Sequence, residues 1–401
     1  MNACVMERRY GGFYAVLFLL AALCIYGCSG TSSEEKEPAG KQNAAYADGD
    51  LIPVENHDGK WGFLDKGGNE VIPCRYDLVY PFSDGLACVE YKTGWGFVDK
   101  SGKEVVPCKY DQVNDFSEGF ARVRKGGEWG FINRGGKEIV PCKYDEAWDF
   151  SDGMAMVRKG DVNSAKLGFV NQNGEEVIPC QYIVARDFSD GVAAVNVGNY
   201  WSHGRMGFID KNGNEAFSHR YDDALGFSEG FAAVRKDGKW GFIDKSGKEV
   251  ISCKYSAVSS FSDGMARVLK GGLLDGKYGY IDKNGNEVIP CKYEACGSFS
   301  EGLACVRTGD KYNEKWGFID KSGNEVLPCK YDFVRDFSCG LSLVREGSLR
   351  TGRYGFVNKT GKLVVPCKYD YAKPFKDGLA RVGMGMRLYY IDVTGKEYIK
   401  N

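Results

Sequence analysis

A fourteen-residue stretch, KWGFIDKSGKEVIS at Lys239–Ser252, returns in ten versions along the 401-residue chain. The Trp-Gly step, or its degenerate form, falls at Trp61, Trp95, Trp129, Leu167, Met206, Trp240, Tyr278, Trp316, Tyr354 and Leu388, at spacings of 34 to 39 residues. A fixed period of this size marks a repeat architecture, in which one unit cannot bury its own apolar face and neighbours must stack. The repeat therefore overrides the two or three domains that length alone would predict.

Composition narrows the function. Apolar residues make up 43 % and charged residues 27 %, with a formal net charge of −1. That is the balance of a folded chain. Lys and Arg are spread evenly through the units, so there is no basic stripe to neutralise phosphates, and nucleic-acid binding is disfavoured.

The first residues read as a targeting segment. Arg8 and Arg9 precede an apolar run, Phe13 to Leu23, that is short for a membrane span. Ile25-Tyr26-Gly27-Cys28 then resembles a bacterial lipobox, which implies a signal peptide over 1–27 and a lipidated Cys28. Residues 28–50 hold Ser, Glu, Lys, Gly and Ala with little to bury, and read as a flexible tether. The acidic run Glu34, Glu35 and Glu37 resembles the surface-export signals of some Bacteroidetes-type lipoproteins. The repeat array is expected over 51–401.

Eight cysteines hold one place in the repeat: Cys74, Cys108, Cys142, Cys180, Cys253, Cys291, Cys329 and Cys367. No CxxC pair occurs, so metal-knuckle spacing is missing. A column of half-hidden free thiols is the expected reading, with His219 a tolerated replacement in one copy.

Within a unit, Leu86–Val89, Trp95–Asp99 and Glu104–Pro107 are short β-prone runs. Asp99-Lys100-Ser101-Gly102 between two of them is a turn, with Asp capping it and Gly supplying positive φ. A calcium loop at Asp210–Glu215 would need more oxygens in register, and a turn is the better reading. Each unit is thus expected to be a three-stranded antiparallel meander. Trp61, Trp95, Trp129, Trp240 and Trp316 are expected core residues, Tyr144 and Phe150 plugs between units, and the Gly after Trp a place where a neighbour leaves no room for a Cβ. Ten such units point to an all-β open, solenoid-like array, with a β-propeller as the alternative.

The copies differ in one loop, between the first and second runs of each unit. It is longer after Val157, Val195, Val268, Val306 and Val344. Insertions confined to one loop map to one face of a stacked array, often the binding face. The richest, Gly198 to Arg205, carries Tyr200, Trp201, His203 and Arg205, with Tyr312 and Arg350 in neighbouring loops. Aromatic platforms with polar rims suit glycans or protein hot spots.

The repeated KWGFIDKSGKEVI followed by CKYD and FSDGLARV resembles the bacterial WG (KWG) repeat family over about Leu51 to Ile399. The resemblance implies an all-β array in an envelope or secreted protein and carries no catalytic residues with it. The acids recur with the repeat, and only His57, His203 and His219 could serve as a His base, so no unique catalytic constellation stands out. The expected function is a non-enzymatic binding scaffold, lipid-anchored at the cell envelope, outer membrane or surface. Its partner is a protein, peptide or glycan; no cofactor or metal is called for, and a monomer is expected. The alternatives are a glycan-active enzyme on a propeller and a purely structural envelope spacer.

Overall fold

The computed structural model describes residues 49–160, 164–196, 205–309 and 314–399, apart from the side chains of 218–220. Every regular element among them is a β-strand, and the strands form ten separate antiparallel sheets. Blade 1 contains β1 (Leu51–Glu55), β2 (Trp61–Asp65) and β3 (Glu70–Tyr76). Blade 2 adds a fourth strand: β4 (Leu78–Val79), β5 (Leu86–Tyr91), β6 (Gly94–Asp99) and β7 (Glu104–Tyr110), paired in that order. Blades 3 to 10 repeat this four-stranded plan. The expected three-stranded unit is therefore corrected: the connector after each CKYD supplies a short strand of its own. Its partner is the Val-containing end of the first strand, as in Val79 opposite Val89.

The expected open array is also corrected. The ten sheets close into a ring, a ten-bladed β-propeller, in which blade 10 packs on blade 1. Leu379, Tyr390 and Tyr398 share a buried cluster with Leu51, Val54 and Trp61. Lys396 Nζ donates to the Lys66 carbonyl at 2.7 Å. Among the described residues no strand is exchanged to clasp the ring, and side chains make the closure. Near the axis the ring is narrow enough for Lys376 of blade 10 to pair with Asp115 of blade 3 at 2.6 Å. Both residues lie beside the short strands, which places those strands innermost.

Wedge-shaped units explain the closure. One position of the first strand is a fully buried Ala in most blades, as at Ala87, Ala121, Ala155, Ala232, Ala266 and Ala304. Farther out, the third strand contributes large buried rings such as Tyr110, Tyr144, Tyr255 and Tyr369. Seams that are thin inside and thick outside turn a stack into a circle. Most seams are plugged where an aromatic ring of the middle strand meets the Phe of the next connector. Phe63–Phe82, Phe97–Phe116, Phe131–Phe150 and Phe242–Phe261 lie 4.9 to 5.0 Å apart, tilted or edge to face. Such pairs add about 0.5–1.5 kcal/mol each beyond the area they bury.

The Gly after Trp is explained within each blade. A Cβ on Gly241 would lie 2.4 Å from the Ile251 carbonyl oxygen, because the third strand bulges across the middle one there. In blade 10 the described third strand is Glu397–Tyr398, and Tyr389 stands buried in place of the Gly.

The turns follow the sequence reading. Gly213 N–H donates to the Asp210 carbonyl at 2.9 Å, Gly213 takes φ +81°, and Asp210 Oδ1 accepts from the N–H of Asn212 and Asn214. That carboxylate is consumed by the turn. The FSDG turns put two residues in the left-handed region, as at Asp84 (φ 56°) and Gly85 (φ 80°), the geometry of a two-residue hairpin.

Two outcomes are expected. Ala266→Leu thickens a seam where the ring is thinnest and should cost about 1–3 kcal/mol in urea unfolding; unchanged stability would contradict the wedge. Hydrogen bonds hold the carboxyls of Asp65, Asp210, Asp244 and Asp320 below their ordinary range. A depressed carboxyl contributes stability above its unfolded pKa and loses it as pH falls through the folded one. Stability should thus decline from about pH 4 downward. Asp244→Asn and Asp320→Asn, copying the natural Asn133 and Asn171 turns, should flatten that decline in acid-unfolding curves.

Candidate binding face and ring centre

The two faces of the ring differ. On one lie the FSDG and DKSG-type turns, where the chain enters at Leu51. On the other lie the hairpins that join first and middle strands, together with the links from blade to blade. All length variation sits in those hairpins, so the insertion loops crown one face, opposite the chain's entry. Cys28, Tyr200, Trp201, His203 and Tyr312 lie outside the described residues. Arg205 is exposed just ahead of the strand Met206–Asp210, and Arg350 is exposed at its hairpin. Leu273, Leu274 and Leu349 stand 73 %, 90 % and 88 % exposed on the same crown.

Most repeated polar residues are taken up in joining blades. On the turn face, the serine hydroxyl of most of these turns donates to the Phe carbonyl of the next blade, as in Ser117 to Phe150 at 3.0 Å and Ser262 to Phe299 at 2.7 Å. The acid beside it does the same work. Asp152 accepts from Gly191 N–H and pairs with Lys211 at 2.7 Å, both in blade 5, and Glu301 accepts from Gly340 N–H and pairs with Lys359. On the loop face, the Asp of each KYD caps the next hairpin: Asp332 accepts from Gly347 N–H at 2.8 Å and pairs with Lys315 at 2.6 Å. At the rim, Tyr144 and Tyr369 hydroxyls donate to Glu176 and Glu397 of the following blades.

Trp61 and Trp129 are buried, whereas Trp95, Trp240 and Trp316 are half-buried beneath other side chains. The Arg235 and Arg307 guanidinium carbons lie 5.7 Å from the ring centres of Trp240 and Trp316, at cross-strand positions. A stacked cation of this kind contributes about 0.5–2 kcal/mol. Of the departures from Trp, Met206 is buried and Leu388 stands on the surface.

The column cysteines are free, and most of these half-buried thiols face a carbonyl of the first strand, as Cys108 does that of Val89 at 3.9 Å. Burial pushes the thiols of Cys108, Cys180 and Cys367 up to about 11, which suppresses the reactive thiolate at neutral pH. Cys339 is the exposed cysteine among the described residues, on a turn with φ 55°. Ellman's reagent should therefore titrate one fast thiol in the propeller and the rest only on unfolding; several fast thiols would show the column to be open.

The ring centre is the other place where the repeat varies. The residue before each connector Phe is Asp115, Asp149, Asp187 or Asp336 in four blades and Pro, Gly or Ser elsewhere. Asp149 pairs with Arg122 of blade 3 at 2.8 Å. Burial raises the carboxyls of Asp149, Asp187 and Asp336, with Arg122 pulling Asp149 back and Asp149 pushing Asp187 further up. Yet the Asp149 side chain is 47 % exposed. Water reaches a group that protein also surrounds, which describes the wall of a channel. The sequence reading treated the acids as recurring with the repeat and did not single out the Asp before Phe; the signal was its variation from copy to copy. Among the described residues, no group of three or more His, Cys, Asp or Glu side chains is placed to hold a metal ion.

No curated protein matches the chain. Among solved structures, a crystal structure of a eukaryotic initiation factor is similar in fold, with a TM-score of 0.51, 12 % identity, and coverage of 78 % of this chain and 94 % of that one. The β-propeller domain of the Trilobed protease from Pyrococcus furiosus, titled as having an open velcro topology, aligns at a TM-score of 0.36 and 12 % identity over 64 % of this chain and 99 % of that one. The WG containing repeat matches nine times, at residues 61–92, 95–129, 129–162, 168–201, 206–240, 240–273, 278–312, 316–349 and 354–385. The chain belongs to the WG-repeat family.

Proposed function

We propose that this protein is a lipid-anchored, non-enzymatic scaffold of the cell envelope that presents its hairpin crown to a protein, peptide or glycan partner. One observation carries the reading. Most repeated polar side chains are consumed between blades, while all variation in length falls in the hairpins of the crown. Tyr200, Trp201, His203, Arg205 and Tyr312 are the residues proposed to meet the partner.

Glycan-array and surface pull-down comparison of the wild type with a Tyr200→Ala/Trp201→Ala variant tests this, with loss of capture expected. Capture of every partner at wild-type level would remove the crown from the reading. Cys28→Ser should move the protein from the detergent phase to the aqueous phase in Triton X-114 partitioning; retention in detergent would defeat the anchor. A second reading, a glycan-active enzyme on the propeller, draws on the raised carboxyls of Asp149 and Asp187 at the ring centre. Glycan turnover lost in Asp149→Asn would favour it.

A further inference from the structure

The hairpins of the crown are not alike. Blades 7 and 9 build their long ones on one plan. Gly271 and Gly347 open them at φ 94° and 95°. Gly276 N–H then donates to the Gly272 carbonyl at 2.8 Å, and Gly352 N–H to the Ser348 carbonyl at 2.7 Å. In blade 9 the Ser348 and Thr351 hydroxyls also bond, at 2.8 Å. These bonds hold Leu273-Leu274 at one apex and Leu349-Arg350 at the other, and all three leucines are almost bare. The hairpin of blade 10 is short, yet its tip, Met384-Gly385-Met386, is apolar too, with Met386 fully exposed. Tyr371 and Leu388 lie against Gly383 beside it, each partly exposed.

Elsewhere the described tips are polar or bare glycine: Lys92-Thr93 in blade 2, Gly126-Gly127 in blade 3 and Asp237-Gly238 in blade 6. A single exposed leucine needs no explanation. An arc of such tips over blades 7, 9 and 10 is a surface feature. Charge accompanies it. In the adjacent blades 9 and 10 an apolar tip residue is followed at once by an arginine, Leu349-Arg350 and Met386-Arg387. Both arginines are exposed, and neither makes an ion pair among the described residues. Lys277 and Arg353, by contrast, are engaged by Glu294 and Asp370. Asp275 is the acid at these apices, while Glu346 acts on Tyr331 and Cys367 in the seam below.

We propose that this arc rests on an anionic phospholipid surface: Leu273, Leu274, Leu349 and Met386 enter the acyl boundary while Arg350 and Arg387 meet headgroup phosphates. The tips stand on separate hairpins rather than line one groove. A protein partner would need a pocket for each, whereas lipid closes around any apolar protrusion. An arginine directly beside the inserted residue is placed to stay at headgroup depth, and each such cation strengthens binding to an anionic surface by about fivefold. Tyr371 adds a ring of the kind that settles at that boundary. The proposal rests on the envelope reading only for bringing a membrane within reach. It leaves the hairpin of blade 5, outside the arc, to the partner.

The test sediments the unacylated chain from residue 28 onward, carrying Cys28→Ser, with vesicles of phosphatidylethanolamine and phosphatidylglycerol in equal parts. The propeller closes on itself within that chain. Saturable binding is expected, weaker by about tenfold or more on phosphatidylcholine vesicles. Replacing Leu273, Leu274, Leu349 and Met386 together by Ser should weaken it by about tenfold or more. Arg350→Gln/Arg387→Gln should do the same on the anionic vesicles and change nothing on phosphatidylcholine. Lys236→Gln/Lys239→Gln, which removes two charges beside the polar tip of blade 6, should bind as wild type does. If the serine variant loses its native dichroism, Leu274→Trp decides in its place, with emission moving to shorter wavelength on vesicles. No saturable binding, or binding that ignores either the apolar tips or the two arginines, overturns the proposal. A dimer in vesicle-free sedimentation that the serine changes dissolve overturns it in favour of a second copy. Because no acyl chain is present, vesicle binding here would stand even if Triton X-114 partitioning defeated the anchor or the crown captured no partner.

Discussion

The structure depends on the contact between two phenylalanines, one from the middle strand of a blade and one from the connector of the next. A single meander buries too little to offset the chain entropy of ordering it, and the seam is where the missing apolar area is recovered. Because the connector Phe follows directly on the inner strand, the same contact that joins two blades also fixes where the next one starts. Small residues inside it and large phenols outside it set the angle between neighbours. The ring is the sum of those angles.

Polar groups supplement the seam without replacing it. A carboxylate on the turn face accepts a backbone N–H from the next blade and often a lysine as well, and most of these pairs are partly exposed, where a single ion pair contributes little. Their value lies in number and in register. A blade that slid along its neighbour would lose the hydroxyl-to-carbonyl bond, the capped hairpin and the acid-to-glycine bond together. Register is thus set by several weak interactions at different radii, while the apolar seam supplies most of the free energy.

Much of this was legible in the residues. The number of units, the β class, the G1-type turns and the Phe plug follow from motif and spacing. The crowded Gly was legible as well, although the atom that crowds it belongs to the same blade. The inner strand was not legible, because two residues such as Leu78-Val79 carry no periodicity, and the connector reads as a loop with aromatics. Ring closure was hidden for a related reason. It rests on alanines such as Ala87 and Ala266, whose small size matters only relative to the tyrosines at the rim. Of the residues singled out on the insertion loops, Arg205 and Arg350 alone fall within the described chain, and the variable Asp before Phe was hidden by its acidic neighbours in FSDG.

Each blade is cut from one unbroken length of polypeptide, and among the described residues no strand is borrowed across the closing seam. Nothing in such a circle marks which blade must come first. Units can be gained or lost by in-frame duplication, with only the curvature shared among the remaining seams to be readjusted, and the worn tenth copy beside the three-stranded first one is where such an event would leave its scar.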